Sequence, residues 1–175
     1  MSLPSDLLTQ AKFILDKEPK RPKQASLRRS VSTAYYALFH LLVEDGALVM
    51  FGGSDAAELR HVVRRAYVHS TMKQAAKGFA SGQPARVWNS VLRTPSAELM
   101  FVANTFVELQ EARHQADYDP GYRSTRSEAR DLVERTESAF DAWKKIRKDT
   151  DRNAFSLEAR VFLAAILVHK QVSHS

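Results

Sequence analysis

Apolar residues recur every three or four positions along most of the chain, and no stretch of useful length alternates as a strand would. Six glycines and six prolines interrupt this pattern. The pattern predicts an all-α protein, an up-and-down bundle of about five to six helices in one domain over residues 1–175. We expect helices over about residues 5–18, 23–45 (closed by Gly46), 54–76, 96–117, 125–148 and 156–170, with one short helix near 87–92 in the irregular stretch 78–95.

The composition of the chain limits its possible chemistry and its possible cellular location. It has no cysteine, which excludes disulfides, thiol catalysis and thiolate metal sites. The N-terminus lacks the pattern of a secretory signal, and the longest apolar run, residues 161–168, is far shorter than the roughly 20 residues that cross a bilayer. We therefore predict a soluble, cytoplasmic protein without a membrane partner.

The charge of the chain is basic and unevenly distributed. There are 26 Lys and Arg against 20 Asp and Glu, a net charge of +6, and residues 1–30 hold seven bases against three acids. Such an excess suits a phosphate-rich or acidic partner. Arg65, His69 and Lys73 follow one another at four-residue spacing, for which a solvated ridge is the default interpretation.

The second predicted helix has two contrasting faces. Six residues share the side expected to be buried: Leu27, Val31, Ala34, Leu38, Leu41 and Asp45. The opposite side carries Arg29, Thr33, Tyr36, His40 and Glu44. Because this polar side mixes aromatic and hydrogen-bonding groups, we expect a central helix packed on more than one side. Buried Tyr and His satisfied by their neighbours are favoured over direct catalysis.

The fourth predicted helix brings charged residues to its core side. Its apolar stripe consists of Leu99, Val102, Phe106 and Leu109. The same spacing continues to Arg113 and Asp117, whereas Glu111 and His114 lie off to the side. Charges on a core face need partners, so Arg113 and Asp117 are predicted to pair. A base followed by an acid near a helix C-terminus is the unfavourable order, and such exceptions mark functional or strained sites.

A metal centre is not predicted. Glu58 with His61 and Glu111 with His114 have the Glu-x-x-His spacing of di-iron bundles, but both histidines point away from the apolar stripe of their helix. On the third predicted helix this stripe, which we expect to point inward, consists of Leu59, Val62, Val63, Ala66 and Tyr67. The chain also lacks a Gly-rich phosphate loop and a Gly-x-Ser-x-Gly elbow. We expect neither a metal nor a cofactor.

Two segments resemble a known family. LRRSVSTAYYALFH (residues 27–40) and ARHQADYDP (residues 112–120) are similar to the small stand-alone HEPN domains of prokaryotes, over roughly residues 5–148. The stretch 78–95 and the last helix, about 156–170, lie outside the resemblance. It implies a helical bundle that forms a homodimer with a cleft near the dimer interface.

The resemblance also implies two functions. Many HEPN proteins are metal-independent ribonucleases of toxin–antitoxin, defence or stress systems, and others are non-catalytic binding partners, often of a nucleotidyltransferase. The ribonucleases carry an Arg, a polar residue and then a His. In those ribonucleases the His follows four to six residues after the Arg. Arg113 and His114 match the first two positions, but Tyr118 stands where the His would be. Arg64 and His69 do have the spacing of the Arg and the His, but they lie on the third predicted helix and not at the position of the motif. A tyrosine is poorly matched to proton transfer at neutral pH.

Two hypotheses follow. As a binding module, the chain would hold a nucleotide, RNA or a partner protein through Arg29, Tyr36, His114 and Asp117. Alternatively, the same polar pocket would only hold the dimer together, with Arg113, Asp117 and Tyr118 as a structural network. As a ribonuclease, it would use Arg113 to stabilise phosphate charge and His40 or Tyr118 to transfer protons. The missing histidine favours the binding module.

Overall fold

A computed structural model describes residues 2–149 and 154–172, and these residues are overwhelmingly helical, so the all-α prediction is confirmed. The described residues form eight α-helices: α1 (Leu3–Asp16), α2 (Gln24–Met50), α3 (Ala57–Arg64), α4 (His69–Ala80), α5 (Arg86–Asn89), α6 (Ala97–Tyr118), α7 (Arg126–Arg147) and α8 (Leu157–Val172). A 3-10 turn covers Ser54–Ala56. Two strands of two residues each, β1 (Lys148–Asp149) and β2 (Ala154–Phe155), pair antiparallel with Lys148 opposite Phe155.

Side-chain caps fix where the long helices begin. Before α6, the Ser96 hydroxyl accepts a hydrogen bond from the Leu99 amide at 3.1 Å. The capping box before α7 forms as predicted: the Thr125 amide donates to the Glu128 carboxylate at 2.8 Å, and the Glu128 amide donates to the Thr125 hydroxyl at 3.2 Å. The first of these bonds lowers the pKa of Glu128 below its ordinary value. These starts agree with the sequence to within one residue.

The third predicted helix is wrong as a continuous element, because it breaks into α3 and α4. The amides of Arg65 and Ala66 bond to carbonyls three residues back, and Val68 is extended at φ −114° and ψ 125°. Leu59 and Val62, predicted to point inward, are 51% and 65% exposed. These residues do share one apolar face of the helix, but the prediction that this face is buried is wrong, because no residue of α3 is buried.

The predicted end of the second helix at Asp45–Gly46 is also wrong, since α2 continues to Met50. Gly46 is buried where the helix meets the Tyr67 side chain, and a Cβ atom at Gly46 would overlap the Tyr67 hydroxyl. The glycine therefore permits a close approach between two segments and does not end the helix.

The chain divides into two compact units, Met1–His40 with Thr105–Phe140 and Leu41–Asn104 with Asp141–Ser175. In the first unit, Tyr35 packs against Phe106 with ring centroids 5.7 Å apart. The fully buried aromatic and aliphatic side chains of this unit include Leu27, Val31, Tyr35, Leu38, Phe106 and Leu109. Arg126 closes the end of α1 by donating to the carbonyls of Leu15, Glu18 and Pro19.

The second unit has its own core. Helix α4 packs on α8, where the rings of Phe79 and Phe162 meet edge to face at 5.1 Å. Trp143 lies 6.0 Å from Phe162 and is fully buried. Among residues 2–149 and 154–172, none of the helices combines the length and apolarity that crossing a bilayer requires.

Candidate functional site

Arg113 is the centre of a polar cluster in the first unit. Its Nε atom lies 2.8 Å from Asp117 Oδ2, one helical turn further along α6, which confirms the predicted pair. Its Nη2 atom donates to the Tyr36 hydroxyl on α2 at 2.8 Å. The Ser32 hydroxyl donates to the same Asp117 oxygen at 3.3 Å. Only 13% of the Arg113 side chain is exposed, so its cation is largely enclosed by these partners.

Aromatic rings surround the Arg113 guanidinium. Its Cζ atom lies 5.8 Å from the Tyr35 ring centroid, 5.5 Å from that of Tyr36 and 5.3 Å from that of Tyr118. These distances are within the range of cation–π attraction. Burial by itself lowers the pKa of Arg113, but Tyr36 and Asp117 more than offset this effect and the pKa is raised. Arg113 is therefore a permanent cation held by three tyrosines and a carboxylate.

A pocket of about 530 Å³ lies beside this cluster, within the first unit. Its polar lining comprises Gln24, Arg28, Arg29, Ser32, Tyr36 and Asp117. Arg29 is exposed, and the carboxylate of Asp117 is already paired with Arg113. The surroundings of the pocket thus carry an excess of positive charge together with an aromatic hydroxyl.

Two pocket residues hold the connection between α6 and α7 in place. Arg28 donates from Nε to the Ala116 carbonyl at 2.6 Å and from Nη2 to the Asp119 carbonyl at 2.9 Å. Gln24 makes a double hydrogen bond with the backbone of Ser124, at 2.8 Å and 3.0 Å. Sequence reasoning missed both residues. The available signal was general: the last carbonyls of a helix need donors, and α6 has no basic residue in its last turn.

The structure also locates the other predicted site residues. His40 is half-buried and its ring stacks on Tyr36 with centroids 6.2 Å apart, and burial lowers the pKa of His40. His114 is exposed, on the outer side as predicted, and contacts the ring of Tyr118 at 5.2 Å. Tyr118 is 63% exposed. Tyr36, Arg113 and Tyr118 therefore lie together, while His40 and His114 adjoin them through aromatic contacts.

The two Glu-x-x-His pairs do not converge with further ligands. His61 and His114 are both exposed. Within residues 2–149 and 154–172, no three His, Asp or Glu side chains are grouped in a way that could hold a metal ion.

Comparisons of the chain with models of protein families, with curated proteins and with solved structures found no match. The candidate site is therefore defined by the geometry of the first unit and by the chemistry of its residues.

Proposed function

We propose that the chain is a HEPN-like module that binds the phosphate groups of a nucleotide or of RNA in the pocket of the first unit. The observation that carries this proposal is the combination of a cavity of about 530 Å³ with two arginines, Arg28 and Arg29, in its wall. Arg28 is engaged with backbone carbonyls, so Arg29 is the residue that reaches a bound phosphate. Ser32 and Tyr36 supply polar groups for a sugar or base, whereas the Gln24 amide is engaged with the Ser124 backbone.

Binding fits the geometry better than catalysis because Arg113 is already engaged. Its guanidinium is held by Asp117 and Tyr36 and is 13% exposed. An arginine that stabilises a reacting phosphate must face the substrate. In this proposal Arg113 is a structural cation that fixes Tyr36 and Asp117 in the pocket wall.

The HEPN-like interpretation draws support from the meeting of the two segments that carry the resemblance. Residues 27–40 lie on α2, and residues 112–118 end α6, where Arg113 bonds to Tyr36. In this interpretation the chain acts as a homodimer, with RNA or a nucleotidyltransferase partner, in a toxin–antitoxin, defence or stress system.

Removal of Arg29 tests the binding proposal. We expect Arg29→Ala to weaken binding of a short labelled single-stranded RNA by about fivefold, the effect of one exposed ion pair. It should also reduce the slope of log affinity against log salt by about 0.7. Fluorescence anisotropy at several salt concentrations measures both quantities. Arg93→Ala is the control, because it removes an equal charge from an exposed position outside the pocket. Equal affinities for the two variants would reject the pocket as the binding site.

The alternative function is that of a metal-independent ribonuclease, and the contacts of Tyr36 with two candidate catalytic residues support this alternative. Tyr36 bonds to Arg113 and stacks on His40. Because burial lowers the pKa of His40, its imidazole is neutral at pH 7 and can accept a proton from the ribose 2′-hydroxyl. That oxygen would attack the adjacent phosphate, with Arg113 stabilising the charge that develops and Tyr118 or His40 protonating the leaving oxygen.

The alternative predicts RNA cleavage in EDTA by the wild type. This cleavage should fall at least about a hundredfold in both His40→Ala and Arg113→Ala. Gel analysis of labelled structured and unstructured RNA measures it, with Arg93→Ala as the control that retains activity. No cleavage by the wild type above a mock purification rejects the ribonuclease and leaves the binding proposal standing.

A further inference from the structure

Helix α3 in the second unit presents an apolar stripe to solvent. Leu59 and Val62 are 51% and 65% exposed, and none of the residues of α3 is buried. The helix is tied to the rest of the second unit where Arg60 Nη1 donates to the carbonyls of Phe51 and Gly53 at 3.0 Å and 2.6 Å, and Arg64 acts electrostatically on Glu44 of α2. Its strongly amphipathic pattern is therefore not used by the second unit's own core.

Such a helix needs a partner on physical grounds. A helix of eight residues without a buried face is marginal in water, because each short helix must offset the cost of nucleation. The residue before it, Ala56, provides no side-chain cap. A short helix with exposed Leu and Val side chains on one face is stabilised when a second surface covers that face.

The charges around α3 indicate what kind of surface this is. Residues 57–80 carry five Lys or Arg and one Glu. Arg64 and Arg65 are exposed at the end of the helix, and Arg65 follows Val62 by three positions, so it continues the stripe of Leu59 and Val62. An apolar stripe that ends in cations is complementary to a helix with apolar residues flanked by Asp and Glu.

We propose that α3 is a docking surface for an acidic amphipathic helix of a partner protein. The apolar side chains of the partner cover Leu59 and Val62, and its carboxylates pair with Arg64 and Arg65. A nucleic acid is a poorer occupant because phosphates leave the apolar stripe in water. An anionic bilayer is a poorer one because eight residues provide little area to insert. This surface consists of residues of the second unit, and the proposal does not rest on the function proposed for the pocket of the first unit.

A synthetic peptide tests this proposal with the full chain. The probe is a labelled helical peptide with leucines at every third or fourth position and glutamates on both flanks, and its matched control has lysines in place of the glutamates. We expect the glutamate peptide to bind at least about tenfold more tightly in fluorescence anisotropy. Leu59→Asp and Val62→Asp should each weaken its binding at least about tenfold. Val91→Asp should not, although Val91 is 52% exposed in the same unit.

A second measurement does not rely on variants. Backbone amides of residues 57–64 should exchange rapidly with deuterium in the chain alone and slowly when the glutamate peptide is bound. Equal binding of the two peptides, or equal weakening by Val91→Asp, would overturn the proposal. It would also be overturned by phosphatidylserine vesicles binding through Leu59 in place of the peptide, or by a dimer in sedimentation analysis that Val62→Asp dissociates, since a bilayer or a second copy would then be the occupant.

Discussion

Replacing Asp45 by alanine is expected to lower the free energy of unfolding by about 3 kcal/mol. The Asp45 side chain is only 4% exposed and lies in the core of the second unit. It accepts a hydrogen bond from Trp143 Nε1 at 2.8 Å and forms an ion pair with Arg147 Nη2 at 3.0 Å. Alanine would leave the buried indole N–H and the arginine cation without their acceptor. Urea denaturation followed by circular dichroism measures the loss.

The control for this prediction is an aspartate of the same unit at the surface. Asp141 pairs with Lys144 at 3.0 Å, and its side chain is 64% exposed. Exposed pairs of this kind contribute less than about 1 kcal/mol, so Asp141→Ala should change stability little. If Asp45→Ala and Asp141→Ala destabilise the chain equally, the buried contacts of Asp45 with Trp143 and Arg147 do not stabilise the fold as predicted.

The same denaturation series against pH tests the charge state of Asp45. Burial raises the pKa of Asp45, and the opposing effects of Trp143 and Arg147 do not restore it. The folded state then takes up a proton before the unfolded state does. Protonation of Asp45 therefore adds stability that is complete below the unfolded pKa of about 3.9 and is lost as the pH rises through the folded pKa, whereas the contacts of Asp45 with Trp143 and Arg147 remain above that pH. Relative to Asp45→Asn, the wild type should gain stability on acidification within this window.

Local rules were sufficient to predict much of the fold and part of the candidate site. The capping box of Thr125 and Glu128 lies within one turn of the chain, so its geometry follows from spacing alone. Arg113 and Asp117 are also separated by one helical turn, and their ion pair is a consequence of helical phase. Interactions between residues close in sequence are predictable because the helix itself positions them.

The remainder of the site depends on contacts between distant segments, which helical phase does not specify. The Tyr36 hydroxyl and Arg113 are 77 residues apart in sequence, and Arg28 and Ala116 are 88 apart. Phase correctly placed Tyr36 and Arg113 on particular faces, but a face does not reveal which side chain it meets. The same limit explains α3: its apolar stripe was recognised, and the absence of a covering element in the second unit was not predictable from the stripe.

Gly46 is the clearest case in which a local rule failed, and it leads to the second large expected effect. We expect Gly46→Ala to lower the free energy of unfolding by about 2 kcal/mol. A Cβ atom there would overlap the Tyr67 hydroxyl and lie 2.7 Å from the Tyr67 ring carbon Cζ. Overpacking of this kind costs about 1–3 kcal/mol or more, against a gain of about 1 kcal/mol in helix propensity. Urea denaturation measures the difference.

Gly52→Ala is the control, because it makes the same substitution at a glycine that has no close contact like that of Gly46 with Tyr67. Among the described residues, a Cβ atom at Gly52 would meet the Leu48 carbonyl oxygen alone, at 3.9 Å, and Gly52 is exposed, so this variant should be neutral or slightly stabilising. In a Tyr67→Phe background, Gly46→Ala should cost less, because the overlapping hydroxyl is gone, but not nothing, because the ring carbon remains. Tyr67→Phe by itself should be nearly neutral, since the buried hydroxyl has no hydrogen-bond partner among the described residues. An undiminished cost of Gly46→Ala in that background would mean that Gly46 serves the backbone of α2 and not its contact with Tyr67.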